Sequence, residues 1–272
     1  MRKEDVNIHD GDKWVGEELI CGNCGTRRAF YFDETFGYRM VDCACAKARR
    51  EAEERRCAEE ARAIEAYRNR LICFSEMRTY RKFTFDTIDK PEKYIEDSCL
   101  AFCDNFAANL RRNSGMLFWG SSGYGKTTSA ACVANKVISA GYTAKIKSVP
   151  NIIYDLQSNY DKNYILRELN SYDLLILDDF GSQHENEYSD EMIFALFEAR
   201  KSSGKPVIIT TNLSLSDIKK PATQRKRRIY ERILEMCPYP VEFKEMNRRR
   251  FEVLEKYRAT QKEFNEYLGL DQ

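Results

Sequence analysis

Residues 120–127 read Gly-Ser-Ser-Gly-Tyr-Gly-Lys-Thr, which fits the pattern G-x-x-x-x-G-K-[ST]. An apolar run at 116–119 precedes this stretch, and an alanine-rich amphipathic segment follows it. A strand that leads through a glycine-rich loop into a helix forms a cradle for nucleotide phosphates, because the backbone N–H groups of the loop surround the phosphate oxygens. The alternative is a glycine-rich turn that matches the pattern by chance. The predicted nucleotide-binding residues are Gly120, Ser121, Ser122, Gly123, Tyr124, Gly125, Lys126, Thr127 and Thr128.

Two side chains of this loop have predicted roles. We expect Lys126 to reach the outer phosphates of ATP and the Thr127 hydroxyl to ligate Mg²⁺. The helix that starts at Lys126 adds the positive end of its dipole.

A second motif follows at 174–179, where Leu-Leu-Ile-Leu-Asp-Asp forms an apolar strand that ends in two carboxylates, a Walker B pattern. A strand buried on both faces of a parallel sheet is continuously apolar, and ligands bind at the carboxyl ends of such strands. We therefore predict that Asp178 lies beside Thr127 and holds Mg²⁺, and that Asp179 orients or deprotonates the attacking water. The alternative is a carboxylate pair that caps the next turn.

The composition fits a protein with one sizeable core and a small accessory module. The chain has 272 residues, of which 43% are hydrophobic and 32% charged. It contains no apolar stretch long enough to cross a membrane and no apolar signal core at its start, so the sequence predicts a cytoplasmic protein without a membrane partner. The net charge of +1 gives no global argument for a polyanionic partner, so a nucleic-acid surface must be local.

Four of the ten cysteines are spaced as metal ligands, in Cys21-x-x-Cys24 and Cys43-x-Cys45. Two short apolar segments, 29–32 and 38–41, lie between the pairs and predict a hairpin that brings them together. The sequence therefore predicts a structural Zn²⁺ site, with Cys57 or His9 as possible substitutes for one ligand and four reduced thiols as the alternative. Buried free thiols are the expectation for the remaining cysteines that lie in apolar or helical contexts, Cys73, Cys99, Cys103, Cys132 and Cys237.

Residues 46–70 carry eight basic and six acidic side chains without Gly or Pro, which predicts a solvated helix supported by i,i+4 ion pairs. A helix that binds a partner protein is the alternative. Beyond the phosphate loop the pattern predicts strands at 144–149, 173–178 and 206–211, a largely helical stretch at 151–169 and a helix at 187–202, hence a parallel α/β sheet flanked by helices. Asn212 ends the last strand, where its amide can sense the γ-phosphate or position the water; a turn former or helix cap is the alternative.

Four segments, 120–128, 174–181, 208–212 and 228–233, together resemble the AAA+ ATPases of the DnaC/DnaI helicase-loader and IstB group. The resemblance covers about residues 80–250 and extends to the N-terminus, since several loaders of the DnaI kind carry a zinc module ahead of the ATPase domain. It implies a zinc-binding module at 1–48, a charged helical linker at 49–79, an AAA+ ATPase domain at 80–250 and a helical tail at 251–272.

The resemblance also implies partners and further site residues. The expected function is ATP-dependent loading of a hexameric replicative DNA helicase onto single-stranded DNA, with ATP, Mg²⁺ and Zn²⁺ as cofactors. Arg232 matches the family's arginine finger, with Arg228 second, so self-association through the ATP site is expected. Three residues are candidates for the second sensor arginine of the family: Arg248, Arg249 and Arg250. The basic segment 219–232, with seven basic groups and one acidic group, is a candidate DNA surface.

Three rival hypotheses remain at this stage. An IstB-type transposition ATPase would share the core and act on duplex DNA with a transposase. A non-catalytic adaptor would carry a vestigial nucleotide site, which the complete set of Lys126, Thr127, Asp178 and Asp179 disfavours. A general single-strand binding module would need no Walker motifs.

Overall fold

Two sheets organise the chain, and each belongs to a separate unit. The computed structural model describes residues 1–88, 92–158, 161–183 and 186–244. The first unit is Met1–Ile64, and the second begins at Glu65. Within the described residues, no helix combines the length and the apolar character that a membrane crossing requires.

The first unit contains a four-stranded antiparallel sheet in the order β1-β2-β3-β4. Its strands are β1 Lys13–Val15, β2 Glu18–Ile20, β3 Arg27–Asp33 and β4 Gly37–Met40. One face carries a small core of Val6, Leu19, Ala29 and Tyr38, against which Trp14 packs edge-on at 5.3 Å from the Tyr38 ring. The predicted hairpin is confirmed as β3 and β4. The strands β1 and β2 were missed, because three residues are too few to show an alternating pattern.

A helix of 30 residues, α1 Ala44–Cys73, follows the sheet and confirms the predicted charged helix. Residues 47–65 are exposed. The i,i+4 pairs Arg50–Glu54 and Arg56–Glu60 lie 3.8 Å apart on this surface, where such ion pairs contribute little to stability. The division between the two units falls within α1, and the domain boundaries inferred at 48 and 79 stay predictions.

The second unit contains a five-stranded sheet in the order β6-β7-β8-β5-β9, with every neighbouring pair parallel. Its strands are β5 Met116–Gly120, β6 Ala144–Ser148, β7 Leu174–Phe180, β8 Val207–Thr211 and β9 Tyr239–Phe243. Its helices are α2 Lys93–Asp104, α3 Phe106–Arg112, α4 Lys126–Ser139, α5 Val149–Ser158, α6 Lys162–Ser171, α7 Glu187–Ser203, α8 Leu215–Lys219 and α9 Gln224–Met236. The predicted α/β class with a parallel sheet is confirmed.

Both faces of this sheet are buried, which explains the continuous apolar runs in its strands. Along β7, Leu174 and Ile176 join the core cluster that includes α2 and α4, whereas Leu175 and Leu177 join the cluster that includes α5 and α7. Burial on both faces places the sheet in a three-layer architecture, and its strand ends become the floor of a ligand site.

Two elements differ from the sequence-based expectation. The stretch 151–169, expected to be largely helical, contains two helices, α5 and α6, and the Asp161 side chain caps the second by accepting a hydrogen bond from the Tyr164 N–H at 2.9 Å. The strand β9 was not predicted, because Pro240 disfavours a strand; its position at the sheet edge is one that tolerates proline.

The five remaining cysteines named above are buried, as predicted. Burial raises the pKa of Cys73, Cys103 and Cys132 to about 12, so these thiols stay protonated and behave as small apolar groups. The expected C-terminal helical tail at 251–272 and the candidates Arg248, Arg249 and Arg250 lie outside the described residues.

Candidate functional site

The glycine-rich loop connects β5 to α4, as the motif predicts. At Gly120 the backbone has φ +134°, and an added Cβ would lie 2.3 Å from the Phe243 carbonyl oxygen, so a side chain cannot be accommodated. Gly125 precedes the first residue of α4 with φ +88° and accepts a hydrogen bond from the Ser129 N–H at 2.8 Å. The chain therefore turns from strand to helix within five residues, Ser121 to Gly125, and aims the start of α4 at the strand ends.

Lys126 is buried at the start of α4. Its ammonium group donates hydrogen bonds to the Gly120 and Ser121 carbonyl oxygens, each at 2.7 Å, and to Asn212 Oδ1 at 2.8 Å. Burial lowers the pKa of Lys126, and the nearby carboxylates of Asp179 and Asp178 oppose that shift. The structure thus places the side-chain amide of Asn212, which follows β8, against the ammonium group of Lys126.

Asp178 and Thr127 form the second pair that the sequence placed together. The Thr127 hydroxyl donates to Asp178 Oδ1 at 2.8 Å, and Asp178 is 2% exposed. Burial raises the pKa of Asp178, while hydrogen bonds from the Thr210 and Thr127 hydroxyls counteract this rise. A hydroxyl and a carboxylate oxygen are the hard ligands that Mg²⁺ prefers, so the residues present fit this ion.

Thr210 was missed by the sequence analysis, although it links both carboxylates. This residue of β8 is fully buried, and its hydroxyl donates to Asp178 Oδ1 at 2.6 Å while accepting from the Asp179 N–H at 3.0 Å. A signal existed in the sequence, since a polar residue within a strand buried on both faces requires a hydrogen-bond partner. Thr210 holds Asp178 in place and fixes the backbone at Asp179.

Asp179 occupies a strained backbone conformation. Its φ is +55°, a left-handed value that few residues other than glycine adopt, and the register of β7 against β8 shifts between Leu177 and Phe180. This bulge turns two adjacent carboxylates in different directions: Asp178 is buried, whereas Asp179 is exposed. One carboxylate is thereby suited to a metal ion and the other to water.

The arginine predicted to act on a neighbouring subunit lies on α9 and makes contacts within its own chain. Arg232 Nε donates to Glu198, and its Nη1 lies 2.8 Å from Glu235 Oε2. The Arg228 guanidinium lies 4.2 Å from the Phe194 ring centroid. The role of either arginine towards a second subunit stays a prediction.

The four predicted cysteine ligands form one cluster in the first unit. The sulfur atoms of Cys21, Cys24, Cys43 and Cys45 all lie within 4.8 Å of one another, with Cys21 to Cys45 at 3.6 Å and Cys43 to Cys45 at 3.2 Å. Four thiolates about 2.3 Å from Zn²⁺ in a tetrahedron are about 3.8 Å apart, so this cluster fits the ion. Within the described residues, neither Cys57 nor His9 belongs to the cluster.

Thr26 supports this cluster and was also missed. Its hydroxyl lies 3.1 Å from Cys24 Sγ and accepts a hydrogen bond from the Ala44 N–H at 2.8 Å, so it ties the two cysteine pairs together. Hydrogen bonding from Thr26 lowers the pKa of Cys24 to about 5, whereas donation to Cys43 raises the pKa of Cys45 to about 12. A bound cation would displace the protons of these thiols, because a metal ion binds the thiolate form.

These features define the second unit as a nucleotide-binding core of the P-loop kind. A phosphate loop, a Walker B carboxylate pair and a polar strand end from β8 converge at one edge of a parallel sheet. The chain belongs to the family of IstB-like ATP-binding proteins, whose model matches residues 49–250.

Curated relatives include two replicative helicase loaders. DnaC of Escherichia coli (strain K12) is 25% identical over 157 residues, which cover 56% of this chain and 60% of DnaC. DnaI of Bacillus subtilis (strain 168) is 27% identical over 151 residues, which cover 51% of this chain and 48% of DnaI. The chain therefore spans about half to three fifths of the length of these relatives.

A solved structure shares the fold. The crystal structure of DnaI superposes with a TM-score of 0.54 and 24% sequence identity, covering 63% of this chain and 93% of that chain. At this level of identity the likeness concerns the fold alone, a parallel sheet flanked by helices.

Proposed function

We propose that this protein is an ATP-dependent helicase loader that binds a hexameric replicative helicase and single-stranded DNA and hydrolyses ATP. The observation that carries the proposal is the convergence of Lys126, Thr127, Asp178, Asp179 and Asn212 at one sheet edge, in a chain whose relatives include proteins named as replicative helicase loaders. A complete nucleotide site disfavours a purely adaptor role, because such a role would not require these contacts.

The residues of the site suggest how ATP is used. Lys126 exchanges its present acceptors, two loop carbonyls and the Asn212 amide oxygen, for phosphate oxygens when ATP enters. Thr127 and Asp178 would hold Mg²⁺, and the bound ion would supply positive charge beside the outer phosphates. Asp179, exposed and fixed by the bulge, accepts the proton of the attacking water. Asn212 orients that water and reports the loss of the γ-phosphate through its contact with Lys126.

Self-association would complete the site. Charge that develops on the transferred phosphoryl group is stabilised by a guanidinium from a second subunit, and Arg232 is the proposed donor. Its present ion pairs with Glu198 and Glu235 would exchange for the phosphate on assembly. Hydrolysis would then depend on contact between copies of the chain.

The proposed DNA surface of the ATPase unit lies around α8 and α9. Lys219, Lys220 and Arg227 line a cleft of about 390 Å³ together with Glu231. Three basic side chains around one cleft favour contact with a phosphate backbone, which would be salt-dependent and independent of sequence. With Zn²⁺ bound, the four-cysteine cluster would keep the first unit folded, and this unit is the proposed binding site for the helicase.

The test is an assembly experiment with the full chain. The protein is mixed with the replicative helicase of the same host, with and without ATP and single-stranded DNA, and the mass of the complex is measured by light scattering. A stoichiometric complex that forms with the unaltered chain and changes with Lys126→Ala supports loading. Absence of a helicase complex under every condition contradicts it.

An IstB-type transposition ATPase is the second candidate, and the match to the IstB-like family model favours keeping it. This activity would act on duplex DNA with a transposase. Parallel binding measurements with single-stranded and duplex DNA separate the two, because a loader is expected to prefer the single strand. ATP-dependent assembly on duplex DNA without a helicase complex would favour the transposition role.

A further inference from the structure

An exposed row of aromatic rings crosses one face of the four-stranded sheet in the first unit. The ring centroids of Phe30 and Phe32 are 6.3 Å apart, and those of Phe32 and Phe36 are 6.0 Å apart. Phe32 is 58% exposed and Phe36 49% exposed. Adjacent large apolar side chains in solvent are characteristic of a surface that binds a partner.

The strand register places this row on the face opposite the small core. Ala29 is buried in the core, and successive residues of a strand point to opposite faces, so Phe30 points outward. Phe30 lies directly across from Arg39 on β4 and from Glu18 on β2. The aromatic row is therefore not needed to fill the interior of the unit.

A guanidinium group lies at each end of the row. Arg27 is stacked on the Phe30 ring at 5.1 Å from its centroid, and Arg39 on the Phe36 ring at 4.8 Å. A guanidinium stacked on a ring keeps N–H groups at its edge available for an anion. Arg27 also pairs with Glu18 at 3.1 Å, and the register places Lys13 on the same face.

We propose that this aromatic row, Phe30, Phe32 and Phe36 with Arg27 and Arg39, is a binding site for single-stranded nucleic acid. Unstacked bases lie against the rings, and the two guanidinium groups contact the phosphates that join these bases. Exposed aromatic side chains on a four-stranded sheet are a known way to stack two or three bases, and the flanking positive charge tracks the backbone.

Charge complementarity selects this ligand over an apolar protein surface. An apolar protein surface laid over the row would remove hydration from the Arg39 guanidinium without supplying a counter-charge, and it would leave Arg27 with Glu18 as its partner, whereas phosphates supply charge to both arginines. The site lies in the first unit, outside the ATP site, and does not depend on the proposed loading of a helicase.

The experiment measures binding of the zinc-loaded full chain to fluorescein-labelled oligothymidylate and oligouridylate by anisotropy, without ATP and without helicase. Phe32→Leu keeps an apolar side chain and removes the ring, so affinity is expected to fall by about tenfold, whereas Phe32→Trp retains it. Arg39→Gln is expected to reduce the dependence of log affinity on log salt by about 0.7. Comparison of the two oligonucleotides distinguishes DNA from RNA as the natural ligand.

Tyr67→Leu is the matched control, because Tyr67 is an exposed aromatic residue on α1 outside the row. The oligonucleotide affinity of Tyr67→Leu should equal that of the unaltered chain, and the zinc content of every variant should be unchanged. Oligonucleotide binding that is undetectable in the unaltered chain, or unaffected by Phe32→Leu, overturns the proposal. If Phe32→Leu leaves oligonucleotide binding intact and abolishes a helicase complex, the row is a protein-docking surface instead.

Discussion

The two sheets of this protein differ in what stabilises them. The antiparallel sheet of the first unit covers a core of four buried residues, whereas the parallel sheet of the second unit is buried on both faces by large clusters. A core of four residues buries too little apolar surface to offset the entropy of folding. The first unit therefore depends on its cysteine cluster, and the second depends on its packing.

The two units also differ in how the candidate site of each relates to the stability of its fold. In the first unit the four cysteines, with the proposed metal ion bound, would form the site and also stabilise the fold. In the second unit a well-packed sheet carries Asp179, the proposed catalytic base, in a left-handed backbone conformation that the packing must support. Perturbing each unit should therefore give different and separable results.

Metal removal should have the largest effect and act on the first unit alone. Zn²⁺ binding to structural thiolate sites supplies about 10–16 kcal/mol of apparent free energy. A chelator, or Cys21→Ser with Cys24→Ser, should unfold residues 13–40 and leave ATP affinity unchanged. Amide hydrogen exchange in β2 and β3 measures the unfolding, and titration with a fluorescent ATP analogue measures the ATP affinity.

Cys57→Ser is the control for this prediction, since Cys57 is an exposed cysteine outside the cluster. It should retain full protection from exchange. Unchanged protection in β2 and β3 after metal removal would show that the small core is sufficient, and the contrast between the units would fail.

Asp179→Asn should have the next largest effect, confined to catalysis. Loss of a general base lowers kcat by about 10²–10⁴-fold, and ATP affinity should change little. Asparagine tolerates the left-handed backbone of Asp179, so the bulge is retained, which alanine would not ensure. Steady-state ATPase rates and nucleotide binding are measured together, with the exposed Asp104→Asn as control. Normal turnover by Asp179→Asn would refute the assignment of the base.

Lys126→Ala should weaken ATP binding on the order of 100-fold, because charge-assisted contacts to phosphate are lost. Zinc content and hydrogen exchange of the first unit should be unchanged. Lys136→Ala on the same helix is the matched control, because Lys136 is exposed and pairs with Asp104 at 3.5 Å. Equal ATP affinities in the two variants would place the phosphates elsewhere.

Thr210→Val should have the smallest effect, a decrease in kcat of about tenfold with a nearly unchanged KM, because the hydrogen bond to the Asp178 carboxylate and the one from the Asp179 N–H are lost. Thr210→Ser keeps the hydroxyl and should restore turnover. Thr143→Val removes a hydroxyl that bonds Asp173, away from the site, and serves as control. A failure of Thr210→Ser to restore kcat would attribute the effect to packing instead of positioning.

Several parts of both units were predictable because their signals in the sequence are local and strong. The phosphate loop, the apolar strand before Asp178 and the charged helix α1 were all placed correctly from the sequence. Other parts depend on distant contacts. The edge strand β9 contains Pro240, and it pairs with β5, which is far from it in the chain. The contacts of Thr26 and Thr210 join segments from separate strands and loops.

The sequence by itself determined which chemical groups this protein has: a glycine-rich loop with Lys126 and Thr127, a carboxylate pair, and four cysteines with ligand spacing. Residue type and spacing suffice for this, because turns, strands and helices are largely specified by neighbouring residues. The tertiary structure decided how these groups are held. It buried Asp178, exposed Asp179 through a bulge, placed Thr210 between them, and lined up three phenylalanines on an exposed sheet face. These outcomes depend on strand register, which is set by packing between residues far apart in the chain.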